Sequence, residues 1–201
     1  MKALIFDMYG VILKDPEGGL MPFVNRFFPG LQIDDVYLHW RKANVGEISS
    51  LDFFMNIGFK GDMKKIEKEY LDSIEIDAAF FPAAQTLGKY YRLALLSNDL
   101  CEWSSYLRGK FDINKYFDTV VVSGDVKLQK PDVRIFSLTL QKLALPADNC
   151  VYIDDRTENL DAAKSFGMET VLFNSRNVEY DGRIVFNFSE LVDALVHDKT
   201  I

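Results

Sequence analysis

The chain has 201 residues, 48% of them hydrophobic, with 30 acidic against 23 basic side chains and a net charge of −7. That suits one packed core carrying an insertion rather than two full domains, and the negative surface argues against nucleic acid as a partner. No apolar run approaches the roughly 18 residues of a membrane span, and Ala3 to Phe6 is too short for a signal peptide, so a soluble cytoplasmic protein with no membrane association is expected.

The first predicted element is a buried strand over Ala3 to Phe6, delivering Asp7 and turning through Tyr9 and Gly10. Residues 15–80 then read as helical, over Met21 to Phe28, Asp34 to Ala43, Ser49 to Ile57 and Met63 to Ser73. A crossover normally needs a few residues and one helix. The segment is therefore read as a cap at 15–80 inserted into a core formed by 1–14 and 81–201, with "KDPEGG" and "FFP" as hinges. The "FF" and "FFM" clusters are expected to be cap core, and the aromatic cap, with Phe23, Phe27, Phe28, Phe53 and Phe54, is expected to enclose a small ligand and exclude water when closed. From Pro82 the pattern alternates: a helix to Tyr91, a strand Leu93 to Ser97, a helix Leu100 to Lys110, and a strand Thr119 to Ser123. A helix follows from Pro131, with Val133, Phe136, Leu140 and Leu143 on its inner face. Then come a strand Cys150 to Asp154, a helix ended by Gly167, a strand Glu169 to Phe173, and a last helix Phe188 to Val196. Uniformly apolar strands alternating with amphipathic helices predict an α/β fold, a Rossmann-like parallel sheet covered on both faces. Cys101 and Cys150 lack metal-ligand spacing and are expected to be reduced.

In such a sheet the ligand crevice lies beyond the carboxyl ends of the strands. Asp7, Ser97 with Asn98, Lys130, and Asp154 with Asp155 all fall there. These four motifs, in order over essentially the whole chain, resemble the haloacid dehalogenase (HAD) superfamily with a helical cap between its first and second motifs. The resemblance implies that Asp7 is a nucleophile, that Ser97, with Asn98 and Tyr9 at the substrate, holds a phosphoryl group, and that Lys130 neutralises charge. It further implies that Asp154 and Asp155 hold Mg²⁺ together with Asp7 and the backbone carbonyl of Tyr9, Asp155 being the better direct ligand and Asn159 an outer partner. The electrostatics agree: three carboxylates within a few Å repel by roughly 4 kcal/mol per pair at an effective dielectric near 20, and stay ionised together only beside a cation.

Tyr9 stands where phosphatases of the superfamily usually carry a second aspartate, whose proton transfers contribute about 10²–10⁴ in rate. The 2-haloacid dehalogenases share the Asp-x-Tyr-Gly start but have neutral residues where this chain has "IDDRTEN". "NVGEIS" (Asn44 to Ser49), "LSND" and "KPDVRIF" resemble a branch of capped sugar-phosphate phosphatases, some of which also lack the second acid. The expectation is a Mg²⁺-dependent hydrolase of a small phosphorylated metabolite, working through an aspartyl-phosphate on Asp7, with Glu17, Glu47 and His39 as candidate replacement bases. The alternatives are a metal-independent 2-haloacid dehalogenase-like hydrolase and a weakly active phosphate-binding regulatory protein.

Overall fold

The computed structural model describes residues 1–14, 20–27 and 30–197. In chain order its strands and helices are β1 (Ala3–Phe6), β2 (Leu13–Lys14), α1 (Leu20–Phe27), α2 (Ile33–Asn44), α3 (Ser50–Asn56), α4 (Met63–Ser73), β3 (Glu75–Ile76), α5 (Phe80–Leu87) and β4 (Arg92–Ser97). They continue with α6 (Cys101–Lys110), β5 (Thr119–Val122), α7 (Ser123–Val126), α8 (Val133–Leu143), β6 (Cys150–Asp154), α9 (Thr157–Ser165), β7 (Glu169–Phe173), β8 (Arg183–Val185) and α10 (Phe188–Val192), which runs on as a π-helical turn over Asp193–His197. Six strands form one parallel sheet in the order β5-β4-β1-β6-β7-β8. β1 and β6 are wholly buried, as all-apolar strands covered on both faces must be. The register pairs Phe6 with Leu95 on one side and with Ile153 on the other, so the chain's polar strand ends share a single edge.

Several boundaries depart from expectation for local reasons. α5 starts at Phe80 and stops at Leu87, leaving Tyr91 outside; Pro82 falls in its first turn, where a missing N–H costs no intrahelical bond. Ser123 opens α7 instead of ending β5. In α8 the inward stripe is Ile135, Phe136, Leu140 and Leu143, while Val133, the first residue after the N-cap Asp132, is 45% exposed. β8 was not expected: three residues paired only with β7 leave little pattern to read.

The helices α1 to α4 leave and rejoin the sheet domain through an antiparallel pair, β2 with β3. Of the predicted hinge, Asp15 to Gly19 lie outside the described residues, as does Phe28. α3 is set by a capping box between Ser49 and Asp52. The insert packs on the sheet domain through Trp103 of α6, fully buried against Trp40, Phe53, Phe54 and Tyr70, with its indole N–H donating to Glu67 Oε1 at 2.6 Å. Phe23, Phe53 and Phe54 thus belong to a core continuous with the sheet's underside, with Phe27 partly buried against it. Lys110 Nζ donates to the carbonyls of Leu71, Asp72 and Ile74 at the end of α4, the positive charge that a helix C-terminus favours. Ser123 Oγ donates to Asn44 O at 2.6 Å, and Gly46, at φ +65°, lies so close to Gly124 O that a Cβ there would overlap it.

Candidate active site

Asp7 follows β1 directly, its backbone N–H bonded to Ile153 O at 2.9 Å, and its Oδ1 accepts from Met8 N at 2.7 Å. The chain then turns at Gly10, whose φ of +77° favours glycine, and a Cβ there would overlap Asp155 Oδ2. Gly10 thereby lets the first motif lie against the fourth. Lys130 is buried with Nζ 2.7 Å from Asp7 Oδ1, 2.9 Å from Asp154 Oδ2 and 3.1 Å from Leu96 O. Its backbone is clamped by Asn98, which accepts from Lys130 N at 2.8 Å and donates to Lys130 O at 2.9 Å. The Asn98 amide, expected to face substrate, is therefore engaged in holding the lysine. Ser97 Oγ, at the same edge, is buried without a hydrogen-bond partner among the described residues.

Asp7, Asp154 and Asp155 each offer a carboxylate oxygen, and the three atoms lie within 4.8 Å of one another. The two acids of the fourth motif are used differently. Asp154 Oδ1 accepts from Arg156 N at 2.8 Å, while its Oδ2 accepts from Lys130, from Asn159 Nδ2 at 3.1 Å and from the Tyr152 hydroxyl. Asp155 Oδ2 accepts from Arg176 Nε, and Asp155 Oδ1, buried, has no partner among the described residues. Burial pushes the Asp7 carboxyl up to about 8, helped by Asp154 and Asp155 and opposed by Lys130. Asp154 also suffers burial, yet Lys130 and its hydrogen bonds hold it below the usual carboxylate range. Burial and Asp154 raise Asp155. Burial works against the Lys130 ammonium, but Asp154 and Asp7 raise it above its ordinary value. The buried cluster is short of positive charge. Its all-oxygen donor set and the unpartnered Asp155 Oδ1 fit a hard divalent cation.

Residues 1–167 match the family model of the haloacid dehalogenase-like hydrolases. The chain belongs to that family. It is 37% identical over 184 residues to a phosphorylated carbohydrates phosphatase of Thermotoga maritima, covering 85% of this chain and 84% of the relative. It is 32% identical over 184 residues to a drimenol cyclase of Aspergillus calidoustus, covering 88% of this chain but only 35% of that longer protein. Haloacid dehalogenases are also among its relatives. A HAD-family enzyme of Bacteroides thetaiotaomicron, solved in complex with magnesium and inorganic phosphate, shares the fold with a TM-score of 0.74 at 20% identity, over 89% of this chain and 96% of that one. Among the described residues no helix is long and apolar enough to cross a membrane.

In this HAD-like hydrolase the phenol of Tyr9, half-buried, donates to Asp99 Oδ2 at 3.4 Å. Asp99 is fully buried, also accepts from Leu100 N, and is raised well above the carboxylate range by that burial. Of the candidate replacement bases, Glu47 is exposed, His39 is half-buried with an unpartnered Nδ1, and Glu17 lies outside the described residues. Three site residues escaped the sequence reading. Tyr152 was findable, since it stands two residues before Asp154 and so on the same face of β6. Asp99 adjoins the second motif. Arg176, in the loop after β7, carried no signal beyond following a strand. Cys101 and Cys150 are free, and both thiols are pushed up to about 11, Cys101 foremost by its hydrogen bond to Asp125 and Cys150 by burial.

Proposed function

We propose that this hydrolase is a Mg²⁺-dependent phosphatase of a small phosphorylated metabolite, a sugar phosphate being the favoured class, with Asp7 as nucleophile. The observation that carries the reading is the buried triad Asp7, Asp154 and Asp155, closed by Lys130 and keeping one carboxylate oxygen, Asp155 Oδ1, without a partner. The similarity to a carbohydrate phosphatase along most of both chains supports it. Asp7, Asp155 and the Tyr9 carbonyl would hold the ion, whose charge would draw in and polarise the phosphoryl oxygens of a substrate that the negative protein otherwise repels. The free thiols fit a reducing, cytoplasmic setting.

The chain's own groups divide the work. An Asp7 carboxylate oxygen attacks phosphorus as the bond to the leaving oxygen breaks, giving an aspartyl-phosphate and an alkoxide that takes a proton. Water then cleaves the phosphorus–oxygen bond to Asp7 and releases phosphate. Ser97 Oγ, with no internal partner, donates to a phosphoryl oxygen, and Lys130 balances the charge of Asp7 in both steps. Asp154, saturated by four donors, keeps Lys130 in place instead of contacting the ion. With Tyr9 in place of a second acid, leaving-group protonation is the weak step, which favours phosphates whose leaving groups need little of it.

The buried pair Asp154 and Asp155 also argues against the dehalogenase alternative, because its carboxylate substrate would meet two further negative charges. Hydrolysis of p-nitrophenyl phosphate and of a sugar-phosphate panel, with Mg²⁺ and with a chelator, tests the proposal. Metal-dependent phosphate release is expected. Absence of metal-dependent turnover on every substrate, or chloride release from a 2-haloacid unaffected by the chelator, overturns it.

A further inference from the structure

Ser123, the first residue of α7, belongs to none of the four motifs and is fully buried. Its Oγ accepts from Asp99 N at 2.9 Å and donates to Asn44 O at 2.6 Å. Asn44 closes α2 in the insert, so the hydroxyl takes up one of the carbonyls that a helix C-terminus leaves over, and does so across the seam between insert and sheet domain. Two glycines bring the layers this close. A Cβ on Gly46, in the turn after α2, would lie 2.2 Å from Gly124 O. One on Gly124 would lie 2.7 Å from Cys101 N and 2.9 Å from Asp99 O. The insert's turn, the start of α7 and the backbone after the second motif are therefore stacked in direct contact, with Gly124 N donating to Asp99 O at 3.1 Å.

From Asp99 the path to the nucleophile is short. Asn98, the adjacent residue, holds Lys130 N at 2.8 Å and Lys130 O at 2.9 Å, and Lys130 Nζ meets Asp7 Oδ1 at 2.7 Å. We propose that Ser123 is a positioning residue for the hydrolysis: its hydroxyl carries the seating of the insert's α2–α3 turn to the second motif, and so to Lys130 beside Asp7. The inference rests on the reading of Asp7 as nucleophile and Lys130 as its counter-charge, and not on the metal. Two features point to it. A buried serine placed only to satisfy polar groups needs no partner across a seam. This one puts its donor on the insert and its acceptor on the second motif. The glycine contacts also leave no slack, so a slip of the turn after α2 moves Gly124 and the Asp99 backbone with it. Small displacements at a nucleophile's counter-charge matter, since a misplacement of about 1 Å can cost about 10²-fold in rate.

The first test reads the site without substrate. Proton–nitrogen correlation spectra and amide hydrogen exchange are recorded on the whole protein as wild type, Ser123→Ala, Gly46→Ala and the double variant, with thermal melting of each to confirm folding. Ser123→Ala removes the joint from the sheet side, and Gly46→Ala pushes the turn off Gly124 from the insert side. Each single variant should shift the Lys130 amide and speed its exchange about tenfold, and the double variant should go no further than Ser123→Ala alone. Where one single variant does not fold, the other decides. With p-nitrophenyl phosphate, Ser123→Ala should lose about tenfold in kcat while KM stays within about twofold. A Lys130 amide that stays fixed in Ser123→Ala while that of Asp99 moves makes Ser123 a local packing residue and overturns the proposal. So does a double variant equal to the sum of the singles, or an unchanged kcat. If the wild type turns over no phosphate ester, the phosphatase reading falls and the spectra still decide Ser123.

Discussion

Replacing Lys130 with methionine would remove the one buried ammonium of the site while keeping its volume. Its Nζ meets Asp7 Oδ1 at 2.7 Å and Asp154 Oδ2 at 2.9 Å, and the side chain is 1% exposed, so neither carboxylate gains water when the charge goes. Breaking a buried ion pair from one side costs about 3–5 kcal/mol, because the partner is left charged and dry. Asp7, already pushed up to about 8, escapes by keeping its proton near neutral pH. Asp154 does not escape as easily: it is held ionised below the usual range, and Lys130 is the largest of the forces holding it there. The expected loss therefore falls at about 3 kcal/mol, toward the low end of that range, or roughly 6–12 °C in melting temperature for a chain of this size. Differential scanning calorimetry of both proteins in chelator measures it. Mg²⁺ should then raise the melting temperature of the variant more than that of the wild type, since the ion restores part of the missing charge. A variant melting within about 2 °C of wild type in chelator would refute the charge accounting.

Gly10→Ala forces a side chain into the left-handed region and into Asp155 Oδ2, so we expect a loss of at least about 2 kcal/mol in stability and of Mg²⁺ binding, read by melting and titration. Trp103→Ala empties the centre of the aromatic cluster joining α6 to the insert and should cost about 3–5 kcal/mol by urea unfolding; a loss under 1 kcal/mol would mean the insert is held by other contacts. The pH dependence of Mg²⁺ affinity follows from Asp7. Its folded value near 8 means that the ion must displace a proton at lower pH, so affinity should climb from pH 6 to 8 and level off above. Titrations in buffers of different ionisation enthalpy would show that proton's release, and a pH-independent affinity would contradict it. Without metal the sign for stability is the reverse: a carboxyl raised from 3.8 to about 8 favours the fold below pH 4 and loses that contribution as the pH rises through 8.

The gathering of these residues at one edge was legible because polar residues at the ends of buried parallel strands have one place to go: Asp7 directly follows β1, and Ser97 and Asp154 end β4 and β6. The division of labour was legible only through the resemblance, which favours Asp155 over Asp154 for the ion. Nothing in "DD" itself shows that Asp154 is enclosed by Tyr152, Lys130 and Asn159 while Asp155 keeps Oδ1 unpartnered among the described residues; those contacts come from neighbouring elements. The Asn98 amide looked like a ligand group but is taken up by the Lys130 backbone, 32 residues away in sequence. Helix faces were readable where the stripe was long, and Val133 misled because one apolar residue at a helix start extends the pattern past the buried surface. Arg176 illustrates the general limit: loop side chains are oriented by tertiary contacts, here the bracing of Asn174 and Asn177, that no local pattern encodes.

The protein's two tryptophans face each other across the seam between insert and sheet, Trp40 on α2 and Trp103 on α6, with ring centroids 5.3 Å apart. Any swing of α1 to α4 as a rigid unit about the β2–β3 ribbon would pull these indoles apart and wet a side chain that is now fully dry. Opening and closing of the crevice would then be visible as a change in intrinsic fluorescence, with no label attached.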